Sequence, residues 1–422
     1  MSDFAEINIG GSAISLPIIV GTEDEKAIDI SVLLAKTGHT TFDVGYKNTG
    51  ATKSAITFLD GDKGILRYRG YPIEQLAGQS SFIEVCYLLL YGELPTSAQL
   101  ADFEVNIAQY AELPAAVVAV LDVLPTQMHP MGIMSTLLST LTGAYPNDLE
   151  PGASEETHWK NAFRILGHMP AMVAYIYRKQ NGLPYIAPSA ELDYCSNFLN
   201  MMTGKVDKEV VDALNVLLIL HADHEQNCST STVRIIGSSQ ANIFASVSGG
   251  NQALWGPLHG GANQEVIEML EDIKAVGRSA EEHIAMVKNK TAGVRLMGFG
   301  HRVYKNFDPR AQIIKKYCDV VLEKLDIKDP VLGIAKTLEE TALSDAYFTS
   351  RKLFPNVDFY SGIIYRALGI PMDMFTVMFA FGRMPGWVSQ WRELRTAKEP
   401  IGRPRQVYTG YTSRDYVAIE GR

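Results

Sequence analysis

From about Tyr71 onward, apolar residues recur three and four positions apart, with acids and amides between them. The pattern is plain in Pro72-Ile-Glu-Gln-Leu-Ala, in Phe82–Leu90 and in Val266–Val276, and it predicts helices that bury one face. Pro and Gly punctuate these segments, most clearly in the loop Tyr145-Pro-Asn-Asp-Leu-Glu-Pro-Gly. Residues 1 to about 65 differ. They are rich in Gly, Thr, Ile and Val, with short runs such as Ile14–Val20 that stop at turn residues, a pattern of strands. The expected fold is therefore mainly α, with a small β-rich N-terminal leader. Asp60-Gly-Asp-Lys-Gly64 has the look of a calcium loop, but its glycine comes one place early and its twelfth position is Tyr71. A hairpin turn fits it better. No repeat and no low-complexity tract interrupts the chain.

Composition narrows the classes of function. A chain of 422 residues has room for two or more domains, and 46% apolar residues suffice for an extensive core. A formal charge of −9 argues against nucleic acid or an anionic membrane as partner. Positive charge is instead gathered locally. Between Lys288 and Lys316 lie eight Lys or Arg against one acid, Asp308, and a second cluster holds Arg383, Arg392, Arg395, Lys398, Arg403 and Arg405. Cys86, Cys195, Cys228 and Cys318 are scattered without a Cys-x-x-Cys pair, as in a reducing compartment. Residues 1–9 carry acids and lack the basic start of a signal peptide, and no apolar run approaches the roughly 20 residues of a membrane span. A cytoplasmic, soluble protein is expected.

The chemistry concentrates in a few segments. Gly298-Phe-Gly-His-Arg-Val-Tyr-Lys-Asn-Phe-Asp-Pro-Arg310 joins close-approach backbone to an imidazole and three cations. Its Gly-x-Gly is no dinucleotide fingerprint, since position 303 is Val. A glycine loop with His301 near a carbonyl, and Arg302, Lys305 and Arg310 meeting phosphate or carboxylate, accounts for it better than a solvated basic loop. His221-Ala-Asp-His224 would put two imidazoles on one helical face; metal ligation, a hydrogen-bonded core pair and substrate contact all remain open there, although no His-Glu-x-x-His or cysteine cluster completes a zinc site. His259, in Trp255-Gly-Pro-Leu-His-Gly-Gly, should sit at or just before a helix N-terminus, a place that keeps imidazole neutral; a turn histidine packed on Trp255 is the plainer alternative. Asn356 could cap the helix that begins near it, placing Asp358 in the first turn, where the anion is favoured and a general base is possible. Arg383 and Arg403 are flanked by Gly and Pro, settings that could aim a guanidinium at a carboxylate. No Gly-x-Ser-x-Gly elbow and no Walker loop occurs.

Taken in order, His221-Ala-Asp-His224-Glu, Gly256-Pro-Leu-His259-Gly-Gly-Ala-Asn, Gly298-Phe-Gly-His301 with Asp308-Pro-Arg310, Asn356-Val-Asp358 and Arg383 resemble the citrate synthases. The resemblance runs from about Leu59 to the C-terminus, and the leader looks like that of the longer bacterial enzymes. It implies a large helical domain (66–265 and 368–422) carrying an inserted smaller helical domain (266–367), behind the leader of residues 1–65. It also implies condensation of acetyl-CoA with oxaloacetate and hydrolysis of citryl-CoA. His259, His301 and Asp358 would then be catalytic, and His224, Arg310, Arg383 and Arg403 would hold oxaloacetate. Leu296, Met297, Gly298, Phe299, Gly300 and Lys305 would hold CoA. No metal and no permanently bound cofactor is implied, acetyl-CoA being a co-substrate. The expected assembly is a homodimer at least, with a hexamer also open, and Arg403 would reach across from the neighbouring subunit. A 2-methylcitrate synthase using propionyl-CoA has the same residues, and one methylene is worth only about 1–3 kcal/mol of discrimination, so the sequence does not separate the two substrates. A metal-dependent hydrolase built on His221 and His224 is the more distant rival.

Overall fold

In the computed structural model, residues 3–301, 303–305, 307–325 and 329–422 are described. They form two compact units, residues 3–53 with 402–422, and residues 54–401. In the first, β1 (Phe4–Ile9), β2 (Ser12–Val20) and β3 (Lys26–Ile28) make an antiparallel sheet in that order. Ile9 pairs with Ser12, so the β1–β2 turn is Gly10-Gly11, and both have positive φ (60° and 86°). A two-residue hairpin loop of that hand suits the twist of its strands and needs glycine. α1 (Leu33–Thr37) stops at Gly38, which is left-handed. Residues 402–422 are exposed and hold only a short 3₁₀ turn at Ile419–Gly421.

The second unit opens on the sheet β4 (Thr57–Asp60), β5 (Ile65–Tyr68) and β6 (Tyr71–Pro72). Asp60 pairs with Ile65, so residues 61–64 form a hairpin turn, as their composition predicts. Helices follow: α2 (Ile73–Gln79), α3 (Phe82–Tyr91), α4 (Ser97–Ala108), α5 (Ala115–Val123) and α6 (Pro130–Ala144). Next come α7 (Glu155–Gln180), α8 (Tyr194–Thr203), α9 (Lys208–His221), α10 (Cys228–Ser238) and α11 (Ile243–Trp255). Then α12 (Ala262–Ala275), α13 (Ala280–Lys288), α14 (Pro309–Lys324), α15 (Pro330–Ser344), α16 (Ala346–Ser350), α17 (Val357–Ala367) and α18 (Phe375–Ala397) complete the chain of helices. Helix dominates and strands are few. The β-rich leader is shared between the two units, residues 3–53 belonging to the first and 54–65 to the second, where Ile56 is buried in the helical core. Both ends of the expected inserted domain, near 266 and 367, lie within the second unit.

α18 is the axis of that unit. Every residue from Phe375 to Trp391 is buried, and the helix packs on α3, α7, α9, α10 and α11. A helix covered on all sides has no polar stripe, so periodicity alone does not reveal it. Gly382 and Gly386 bring its backbone against the end of α9. A Cβ at Gly386 would lie 2.2 Å from the Ala222 carbonyl oxygen, and one at Gly382 would lie 2.9 Å from His221 Cβ. That close approach sets Arg383 beside His221. No helix among the described residues is long and apolar enough to cross a membrane.

Candidate active site

The two histidines of His221-Ala-Asp-His224 do not share a helical face. α9 ends at His221, and His224 lies in the following loop, where Glu225 is left-handed (φ 53°). The cause is Tyr68, from the β5 strand. Its hydroxyl sits 3.1 Å from the Ile219 oxygen and 3.0 Å from the Asp223 oxygen, and the Asp223 N–H donates to it at 3.3 Å. A side chain thus takes up backbone groups that a continuing helix would pair, and the chain turns away. Among the described residues no three His, Cys, Asp or Glu converge to hold a metal ion.

His221 and Arg383 form one wall. His221 Nδ1 is 2.7 Å from the Leu217 oxygen, so it carries the proton, and burial brings this imidazole down to about 3. Arg383 Nε donates to the His221 oxygen at 2.6 Å, its guanidinium lies over Phe379, and one terminal nitrogen is buried without a hydrogen bond. Burial lowers this arginine to about 10, with buried Asp223 the main opposing charge. A buried cation with an unused donor is costly, and the free nitrogen leaves room for an anion beyond Asp223.

Phe379 ties this wall to His259, whose ring centroid is 6.4 Å from it. His259 stands three residues before α12, as its glycine-rich setting predicts. Its Nε2 accepts from the Ser229 N–H at 3.1 Å and lies 2.9 Å from Ser229 Oγ, which also accepts from Trp387 Nε1 at 3.1 Å. With Nε2 an acceptor, the proton of the neutral ring sits on Nδ1.

His301 shows the opposite tautomer. Its Nδ1 accepts from the N–H groups of Val303 (3.1 Å) and Tyr304 (3.2 Å), which puts the proton on Nε2. The Tyr304 hydroxyl is 3.2 Å from His224 Nε2, and the His224 and His301 rings are 5.6 Å apart. Burial first, then Arg310 and His301, hold His224 far below the usual imidazole range, so it is neutral. Arg310 forms a buried two-pronged pair with Asp308 through Nε (3.0 Å) and one terminal nitrogen (2.9 Å). Burial opposes ionising Asp308, yet Arg310 keeps it below its ordinary value. The same carboxylate accepts from the N–H groups of Arg310 and Val357, joining the starts of α14 and α17.

Asp358 lies in the first turn of α17, capped as expected by Asn356, whose side-chain oxygen accepts from the Asp358 and Phe359 N–H groups at 3.0 and 3.3 Å. Its acidity departs from expectation. Although Asp358 keeps some solvent contact, burial pushes it up to about 6, against Arg310 and Arg383 and helped by Asp308. The glycine loop is stitched to this helix start. Asn356 Nδ2 donates to the Gly300 oxygen, the Asn356 N–H to the Gly298 oxygen and the Gly300 N–H to the Phe354 oxygen, each at 2.8 Å. Gly298 has φ 76°, and a Cβ there would meet Val266 at 2.7 Å and Phe359 at 2.9 Å. Only glycine fits.

Beside His301 opens a cleft of about 610 Å³, lined by Gly300, Tyr304, Lys305, Arg351, Lys352 and Leu353 among others. Leu296, Met297 and Phe299 are partly buried against the core, and the Met297 N–H points at Met269 Sδ. Lys305 meets Asp62 at 3.4 Å. Arg302 lies outside the described residues. The structure therefore groups His224, His259, His301, Arg310, Asp358 and Arg383 by direct contact, shared neighbours or mutual charge. Arg403 belongs to the other unit, where it is exposed. Ser229, Tyr304, Asp308, Arg351, Lys352 and Phe379 were not among the predicted site residues. Asp308 alone carried a local signal, an Asp-Pro helix start two places before Arg310.

A sequence profile described as "Citrate synthase, C-terminal domain" matches residues 45–405. The chain belongs to the citrate synthase family. It is 54% identical over 427 residues to Citrate synthase 1 of Mycobacterium tuberculosis (strain H37Rv), covering 100% of this chain and 99% of that protein. It is 50% identical over 426 residues to the citrate synthase of Corynebacterium glutamicum, covering 99% and 97%. Among solved structures, the citrate synthase of Pyrobaculum aerophilum matches with TM-score 0.82 and 36% identity over 96% of this chain and 97% of that one. The citrate synthase of Thermoplasma acidophilum, solved as a ternary complex with carboxymethyl coenzyme A and oxaloacetate, matches with TM-score 0.80 and 32% identity, covering 89% and 98%.

Proposed function

We propose that this citrate synthase family member condenses acetyl-CoA with oxaloacetate and hydrolyses citryl-CoA to citrate and CoA, with the roles below. Asp358 removes a proton from the acetyl methyl group, His259 donates from Nδ1 to the thioester oxygen as the enolate forms, and His301 donates from Nε2 to the ketone of oxaloacetate. The new carbon–carbon bond turns that ketone into an alkoxide, which takes up the His301 proton; water then cleaves the thioester. Arg383, Arg310 and His224 hold the oxaloacetate carboxylates, and Arg403 of a second copy completes the set. The CoA phosphates meet Lys305, Arg351 and Lys352, and the backbone of Leu296–Gly300 receives the adenine. What supports this reading most is the buried Arg383 guanidinium with an unused terminal nitrogen, close enough to Asp358 for its charge to be felt there together with that of Arg310.

The inserted domain of residues 266–367 would move against the remainder, 66–265 with 368–422, in a homodimer or a larger assembly working in the cytoplasm. Release of thiol from acetyl-CoA tests the activity. It should require oxaloacetate, run faster than with propionyl-CoA and ignore a chelator. Faster release from propionyl-CoA would move the assignment to 2-methylcitrate, and loss with chelator would revive the hydrolase.

A further inference from the structure

We propose that the glycine turn of the β4–β5 hairpin is a positioning element for His301, acting through the backbone of Val303 and Lys305. The Lys305 N–H donates to the Gly61 oxygen at 2.9 Å. Gly61 also touches the loop without a gap: a Cβ there would lie 2.1 Å from the Val303 oxygen and 2.7 Å from its carbonyl carbon. Three residues on, a Cβ at Gly64 would lie 2.8 Å from the Phe307 oxygen. The turn therefore braces Val303 and Lys305 at one point and Phe307 at another. Val303 and its neighbour Tyr304 supply the N–H groups that fix His301 with its proton on Nε2.

The brace is itself anchored. Asp60 Oδ1 accepts from the Asp62 and Lys63 N–H groups at 3.0 and 2.9 Å, which shapes the turn. Leu66 and Tyr68 bury the following strand, and Tyr68 ends α9 just before His224. One hairpin thus sets the loops that bear His224 and His301. Gly61 is not among the residues with positive φ, so its own backbone accepts alanine and the added methyl acts only by pushing Val303.

The proposal rests on His301 meeting the oxaloacetate ketone, and its test reads that contact directly. Oxaloacetate carrying ¹³C at the ketone carbon is bound to the full-length protein, and the resonance is compared with that of the free ligand. Wild-type protein should displace the resonance, and Gly61→Ala should return it toward the free position while kcat falls about 10²-fold, the usual cost of misplacing a reacting group. A resonance unchanged from wild type in Gly61→Ala overturns the proposal even if kcat falls, because a merely structural defect would leave polarisation intact. No displacement in wild type would remove His301 from the ketone, and the proposal with it. Should Gly61→Ala not fold, Asp60→Ala loosens the turn without adding bulk. It should shift the resonance in the same sense, and Asp60→Asn, which keeps the acceptor oxygen, should restore it; an unmoved resonance in Asp60→Ala overturns the proposal.

Discussion

Asp358 sits where two effects oppose each other. A helix N-terminus favours its anion by about 0.3–1 kcal/mol. Burial works the other way and wins, raising the carboxyl from 3.8 to about 6, a penalty on the ionised form of about 3 kcal/mol at most. For an acid raised in the folded state, stability is lost as pH rises between the unfolded and folded values, here from about 4 to about 6. Asp358→Asn should therefore be more stable than wild type by about 1–3 kcal/mol at neutral pH, read by urea unfolding, while its kcat falls about 10²–10⁴-fold. Equal stability of the two proteins would mean that the carboxylate is not strained. Arg383→Leu removes a buried guanidinium whose terminal nitrogen is unused, so oxaloacetate binding should weaken roughly 10–150-fold, equivalent to about 1.5–3 kcal/mol, by calorimetry. Arg383→Lys should not rescue it, since an ammonium lacks the planar, fixed set of donors that a guanidinium offers. Unchanged affinity in either variant would take Arg383 out of the site.

Elements decide whether such residues meet, and some of this was legible in the chain. Asn356 as the cap of α17, His259 just before α12 and the hairpin at 61–64 all follow from local residue types, and the structure has each. Contacts between distant parts of the chain were not legible. Tyr68 ends α9 from more than 150 residues away, and no local pattern announces it. Burial of Asp358 by the surrounding helices reverses what its helix position implies, and α18 hides its role because it has no polar face. Asn356 links two elements at once, through its cap bonds and its bond to the Gly300 oxygen. Asn356→Ala should cost about 0.5–2 kcal/mol in stability and also weaken CoA binding as the glycine loop loosens. A stability loss with CoA affinity intact would show that the loop holds without that tie.

At the scale of the whole molecule, Arg403 poses the sharpest question, because it belongs to a different unit from the other site residues. If it serves a second copy, Asp358→Asn and Arg403→Leu chains, each nearly inactive alone, should regain activity when refolded together. In the mixed dimer one site would combine an intact Asp358 with an intact Arg403. No recovery would place Arg403 in its own chain's site, or outside catalysis.

We propose Asp358 as the base with which this chain joins acetyl-CoA to oxaloacetate. Thiol release from acetyl-CoA, followed with and without oxaloacetate on both sides of about pH 6, tests it most directly in wild type and Asp358→Asn. Oxaloacetate-dependent release is expected, with kcat/KM falling as pH drops through about 6 in wild type and almost no turnover in the variant. Release that ignores oxaloacetate would rule out the condensation, and a variant that matches wild type would rule out Asp358 as its base.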